Sequence, residues 1–107
     1  MIRETLERQE GWEVSGEASN GREAIEKAQQ LKPDLVVLDL SMPVMNGLEA
    51  ARELKRLLPS VPLVMFTNFT SPQLSKEVLS AGVSAVVSKD KLEGLVHSIQ
   101  GLLEPVS

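Results

Sequence analysis

The sequence contains no cysteine, which removes three chemistries together: a disulfide framework, a thiolate metal site and a cysteine nucleophile. A single histidine, His97, makes a Ser-His-Asp triad or a multi-histidine zinc site hard to assemble. Positive charge is also scarce, since 15 acidic residues face 11 basic ones for a net charge of −4. Nucleic acid and anionic membrane both require a cationic footprint, so neither is expected as a direct partner. No apolar run approaches the ~20 residues of a membrane span. The start, Met1-Ile2-Arg3-Glu4-Thr5, lacks the charged beginning and apolar stretch of a secretory signal. What these absences leave is a cytoplasmic protein of 107 residues, 42% apolar, long enough for one domain and one core.

Apolar residues then fall into two alternating patterns. Helical spacing runs through Ile2 and Leu6; Ala24, Ile25, Ala28 and Leu31; Leu48, Ala51, Leu54 and Leu58; Leu74, Val78 and Ala81; and Leu92, Leu95, Val96, Ile99 and Leu103. Between these sets lie short continuous apolar runs, Leu35–Leu38, Leu63–Phe66 and Ala85–Val87, which suit strands covered on both faces. Residues Trp12 to Ala18 differ: Trp12, Val14, Gly16 and Ala18 alternate with Glu13, Ser15 and Glu17, which predicts a half-buried strand at a sheet edge.

The boundaries carry their own signals. Asn20…Glu23, Asn46…Glu49 and Asp90…Glu93 each place a capping side chain three residues before a glutamate, the spacing of a reciprocal helix cap. Ser71-Pro72 supplies a cap followed by proline at the first helical position, and Ala81-Gly82 marks a helix end. Pro33 and Pro59-Ser60-Val61-Pro62 precede strands. The predicted order is helix, strand, helix, strand, helix, strand, helix, strand, helix. Such interleaving implies parallel pairing in a layered α/β sandwich, with residues 1–107 forming a single domain.

Chemistry enters at the strand ends. Asp39 follows the first buried run, Thr67 the second, and Ser88-Lys89-Asp90 the third. In a parallel sheet all three positions lie at the carboxyl edge, where open α/β sheets bind ligands. A carboxylate can act there as a nucleophile toward phosphorus. An ammonium and a hydroxyl can hold the phosphoryl oxygens.

The segment Asp39-Leu40-Ser41-Met42-Pro43-Val44-Met45-Asn46-Gly47 resembles the phosphoacceptor motif of response-regulator receiver domains of two-component (phosphorelay) signalling. Gly16–Ala24, Lys32–Leu38, Ala81–Ala85 and Lys89-Asp90 extend the resemblance over essentially the whole chain, closest to receivers that precede a DNA-binding domain. The resemblance implies a flavodoxin-like sandwich with five parallel strands in the order 2-1-3-4-5. It makes Asp39 the phosphoacceptor, Thr67 the switch hydroxyl and Lys89 the phosphate-contacting lysine, with a histidine kinase as partner.

The departures from the family shape the functional expectation. The chain begins inside the family's first helix, so the first, central strand and its magnesium-binding acidic pair are expected to be missing. Glu4, Glu7 and Glu10 lie on or after that helix and do not substitute. Asp39 with the Ser41 backbone carbonyl is then a weak or absent metal site, since magnesium prefers near-octahedral oxygen ligation. Without the ion the transferring phosphoryl group loses its main charge neutraliser, and phosphorylation is expected to be slow or absent. Val86 stands where the family usually carries an aromatic switch residue, and Asn68 where a small residue is common. A lost central strand would leave a slot or two unpaired edges. Three repairs are open: inward movement of the Trp12–Ala18 strand, donation of a segment by a second copy, or packing of two copies, with a homodimer preferred.

Blander roles are assigned elsewhere: His97 to the surface, Trp12 to packing at the helix–strand junction, Met42 and Met45 to a turn. Glu7 to Glu10 form a solvated face. The expected function is a non-enzymatic receiver-type signalling module acting through protein–protein association. The alternative is a working phosphoacceptor, phosphorylated on Asp39 by a histidine kinase and controlling a transcriptional output. An aspartyl phosphatase would want a second acid where Ser41 stands, and a flavin-binding protein a phosphate-cradling loop after a first strand.

Overall fold

The computed structural model describes residues 2–40, 45–68 and 71–103. Among these residues five helices and three strands form, alternating after the first helix: α1 (Ile2–Glu7), α2 (Gly21–Leu31), β1 (Val36–Leu38), α3 (Gly47–Leu57), β2 (Leu63–Thr67), α4 (Pro72–Ser80), β3 (Ala85–Ser88) and α5 (Leu92–Leu103). The strands are parallel in the order β1-β2-β3, with Val37 beside Val64 and Met65 beside Val86. This is the three-layer α/β architecture that the alternating patterns imply.

Strand β2 is buried at every position because it is covered on both faces. Successive side chains leave a strand on opposite faces, so Leu63 and Met65 join one apolar cluster while Val64 and Phe66 join the other. The first cluster adds Ile25 and Ala28 of α2, Ala51 and Leu54 of α3 and Val78 of α4. The second adds Leu95 and Ile99 of α5, with Leu6 of α1 and Trp12 packed against it. Trp12 thus serves in packing, as its place in the sequence suggested.

The helix starts show which side chains do the capping. Asn46 accepts from Glu49 N–H at 2.9 Å while Glu49 accepts from Asn46 N–H at 3.3 Å, a complete reciprocal cap. Asn20 accepts from Glu23 N–H at 2.8 Å, but the Glu23 carboxylate reaches Ser19 N–H at 3.3 Å instead of closing the pair. Ser71 caps α4, with Pro72 at its first position. Helix α5 begins at Leu92, one residue later than a cap at Asp90 would start it, and the Asp90 carboxylate accepts instead from Ser88 Oγ at 2.5 Å. Gly82, at φ +102°, ends α4 in a conformation that glycine adopts without strain.

The strand expected over residues 12–18 does not form. Those residues carry no ladder, and β1 is an edge of the sheet. The physical reason lies in their backbone partners. Val14 N–H donates to the Glu7 carboxylate at 3.4 Å, and Lys27 Nζ donates to the Glu17 carbonyl. Arg3 Nη1 holds the Glu17 carboxylate at 2.6 Å. Side chains from α1 and α2 therefore occupy groups that a neighbouring strand would otherwise use. The alternation survives only at its start, where Trp12 and Val14 are half-buried and Glu13 and Ser15 exposed; Gly16, Glu17 and Ala18 are all exposed. Inward movement of this segment to pair with β1 is not what the structure shows. The sheet has three strands among the described residues, in place of the four read from the patterns and the five implied by the resemblance.

Between residues 11–19 and β1 runs a cleft of about 930 Å³. Its side walls are α2 on one layer and α1 with α5 on the other. Leu31 and Leu103, members of two helical apolar stripes, line it and remain 45% and 38% exposed.

Candidate functional site

Three elements deliver the site to one edge. Strand β1 ends at Leu38, so Asp39 is the first residue beyond its carboxyl end. Thr67 is the last residue of β2, and Lys89 the first beyond β3. The register pairs Thr67 with Ser88, and Lys89 N–H donates to the Thr67 carbonyl at 3.0 Å. That bond fixes the lysine backbone level with the end of β2. Lys89 Nζ then reaches across to the Asp39 carboxylate and forms an ion pair with Oδ2. The two side chains retain 35% and 31% of their surface, so solvent reaches the pair and moderates its strength. Thr67 is 1% exposed, the one buried polar residue in the described core.

Gly47 sets the position of Asp39, and Gly21 that of Met45. Gly47 N–H donates to the Leu40 carbonyl at 3.0 Å. A Cβ on Gly47 would lie 2.3 Å from the Asp39 carbonyl oxygen, so only glycine lets α3 start this close to the strand end. Gly21 makes the corresponding approach at the start of α2: its N–H donates to the Met45 carbonyl at 3.0 Å, and a Cβ there would lie 2.2 Å from that oxygen. Leu40 and Met45 are thereby held by the first residues of two helices. Gly47 closes the motif that begins at Asp39, whereas the Gly21–Met45 contact carried no sequence signal beyond the glycine itself.

The arrangement offers one nucleophilic carboxylate, one ammonium beside it and one hydroxyl-bearing residue at the same edge. Ser41, whose carbonyl was the second expected metal ligand, and Met42 lie outside the described residues. Among the described residues no three carboxylate or imidazole side chains gather into a metal-binding group. Among the described residues, the Asp39 carboxylate at this edge is engaged by the Lys89 ammonium. Glu7 is committed elsewhere, to Val14 N–H and Arg3. Val86 packs against the first apolar cluster, and Asn68 is exposed directly after Thr67. His97 is exposed on α5.

Comparison with known proteins agrees with this geometry. Residues 1–100 match the response regulator receiver domain family. The chemotaxis protein CheY of Thermotoga maritima is 39% identical over 79 residues, 74% of this chain and 66% of that protein. The response regulator VraR of Staphylococcus epidermidis is 43% identical over 84 residues, 78% of this chain and 40% of its own length. A protein-glutamate methylesterase of Alkalilimnicola ehrlichii is 42% identical over 90 residues, 82% of this chain but 23% of that enzyme. The chain therefore spans between 23% and 66% of the length of these relatives. Among solved structures, a LuxR-family two-component response regulator from Aurantimonas superposes with a TM-score of 0.90 at 30% identity, covering 94% of this chain and 73% of that one. With an aspartate, a threonine and a lysine converging at the carboxyl edge of a flavodoxin-like sheet, and with that match over nearly all its length, the chain belongs to the response-regulator receiver-domain family.

Proposed function

We propose that this receiver domain, a single domain over residues 1–107, is impaired in phosphorylation and works through protein–protein association, without enzymatic activity of its own. The observation that carries the reading is the Asp39 carboxylate paired with Lys89 at an edge where no metal-binding group of carboxylates assembles among the described residues. Phosphoryl transfer would make the Asp39 carboxylate oxygen attack phosphorus, forming an acyl phosphate while the bond to the donor's leaving oxygen breaks. Negative charge then accumulates on the equatorial oxygens. Lys89 can neutralise part of it and the Thr67 hydroxyl can hold one oxygen. Asp39 with the Ser41 carbonyl would hold magnesium weakly at most, and the remaining charge goes unmatched. The partners of this reading are a histidine kinase and a second copy in a homodimer, in the cytoplasm. Nucleic acid and membrane are not among them. The acidic balance supports that exclusion, and no helix among the described residues is long and apolar enough to cross a bilayer.

A second reading is favoured by the convergence of Asp39, Thr67 and Lys89: a working phosphoacceptor, phosphorylated on Asp39 by a histidine kinase and controlling transcription. Incubation with acetyl phosphate and magnesium followed by mass spectrometry of the intact protein separates the two. The impaired receiver gains no stable mass of one phosphoryl group. A stoichiometric adduct that vanishes in Asp39→Asn establishes the working receiver instead. Light scattering checks the dimer, which is refuted by a monodisperse monomer at high concentration.

A further inference from the structure

We infer that Ser88 is a positioning residue for the Asp39–Lys89 pair: its hydroxyl holds the Asp90 carboxylate toward the opposite face of the sheet and so reserves the Lys89 ammonium for Asp39. The inference rests on the ion pair that supports the proposed function, and it holds whichever way Asp39 behaves toward phosphorus.

The alternation of the sheet sorts these side chains. Val37 of β1 packs against the second apolar cluster and Val87 of β3 is part of it. Successive side chains leave a strand on opposite faces, so Asp39 and Lys89, each two residues further on, share that face. Met65 belongs to the first cluster and Val86 packs against it, which assigns Thr67 and Ser88 to the other face. Lys89 N–H still bonds to the Thr67 carbonyl at 3.0 Å, so the alternation of β3 carries through to the lysine.

The turn that follows brings up a second carboxylate. Lys91 N–H donates to the Ser88 carbonyl at 3.0 Å, closing a turn with Lys89 and Asp90 at its centre. The flexible lysine stem thus has two anionic neighbours to choose from, Asp39 across the sheet edge and Asp90 beside it in the chain. The pair with Asp39 leaves both side chains about one-third exposed, and a pair this open to solvent is weak. A free carboxylate of the same charge next to Lys89 would share the ammonium.

The Ser88 hydroxyl prevents that sharing. It donates to Asp90 Oδ1 at 2.5 Å, a charge-assisted bond of the stronger kind. Because Ser88 leaves the sheet on the face opposite Lys89, the carboxylate it holds is drawn away from the ammonium. The same bond explains why Asp90 does not cap α5, which starts only at Leu92. Alanine at position 88 would release the carboxylate, whereas threonine would keep the donor.

The test reads the coupling between Asp39 and Lys89 directly, as the displacement of the Lys89 Nζ resonance that Asp39→Asn produces in nitrogen-15-labelled protein at low temperature. The displacement is measured in the parent chain and in each variant. Ser88→Ala is expected to reduce it to about half or less, as for neighbouring groups that share a partner. Ser88→Thr is expected to retain it. The double variant Ser88→Ala with Asp90→Asn removes the competing charge as well, and is expected to restore the displacement. A turn merely distorted by loss of the hydroxyl would show no such restoration. The inference is overturned if Ser88→Ala leaves the displacement at its parent size, or if the double variant stays as low as the single one. It is also overturned if the parent resonance ignores Asp39→Asn, and the ion pair behind the proposed function then falls with it. Failure of the Ser88 effect alone leaves that pair standing.

Discussion

The two flanks of β1 have nearly the same chemistry on offer and opposite outcomes. On one flank an apolar run, Leu63–Phe66, finds apolar layers on both faces and a partner edge, and every residue of β2 is buried. On the other flank, residues 12–18 alternate apolar and polar side chains beside the same strand, yet they form no ladder and leave a cleft. A two-residue period gives a segment one face to bury. The ladder itself needs a neighbour within about 4.8 Å, and here α1 and α2 side chains take the backbone groups first.

That contrast is sharpest in stability. Leu54→Ala, at a residue 1% exposed in the closed half, is expected to cost about 2–5 kcal/mol in chemical denaturation. Leu31→Ala, on the same type of helical stripe but facing the cleft, is expected to cost no more than about 0.5 kcal/mol. Equal costs would mean the cleft is closed in solution. Gly47→Ala comes next, at about 1–3 kcal/mol, since the new methyl meets the Asp39 and Leu40 backbone and α3 must shift away. Asn46→Ala is expected to cost about 1 kcal/mol through the lost cap, whereas Asp90→Ala, whose side chain engages Ser88 rather than a helix start, should leave thermal stability close to unchanged.

These particulars also show what the sequence could carry. Asp39, Thr67 and Lys89 were legible together because each directly follows or ends an apolar run, and parallel strands align their ends. The Asn46 cap was legible because its partner lies three residues away. Asp90 had the same local spacing, but the turn after β3 spends its carboxylate on Ser88. Residues 12–18 misled for the same kind of reason: the pattern is local, while the pairing depends on Glu7, Lys27 and Arg3, fixed only by the fold. Leu31 and Leu103 keep the helical period and still stand exposed, since a stripe names a face without naming what covers it.

The smallest effects come from exposed ion pairs, and they differ by what each pair joins. On α3 the Arg56 guanidinium donates to Glu53 and holds its carboxyl below the ordinary carboxylate range, with desolvation acting the other way. A carboxyl lowered in the folded state adds stability above its ordinary range and loses it as pH falls through the lowered value. Glu53→Gln should therefore flatten the acid limb of a thermal-melting series slightly, and only at low salt, since both groups are open to solvent. Arg3 joins two elements instead: α1 and the segment beyond the cleft, through Glu17. Arg3→Gln is expected to leave the melting temperature almost unmoved while speeding amide exchange at Val14 and its neighbours. If exchange there stays as slow as in the parent, the Glu7 and Lys27 contacts suffice to hold the segment, and the open flank is built as firmly as the closed one.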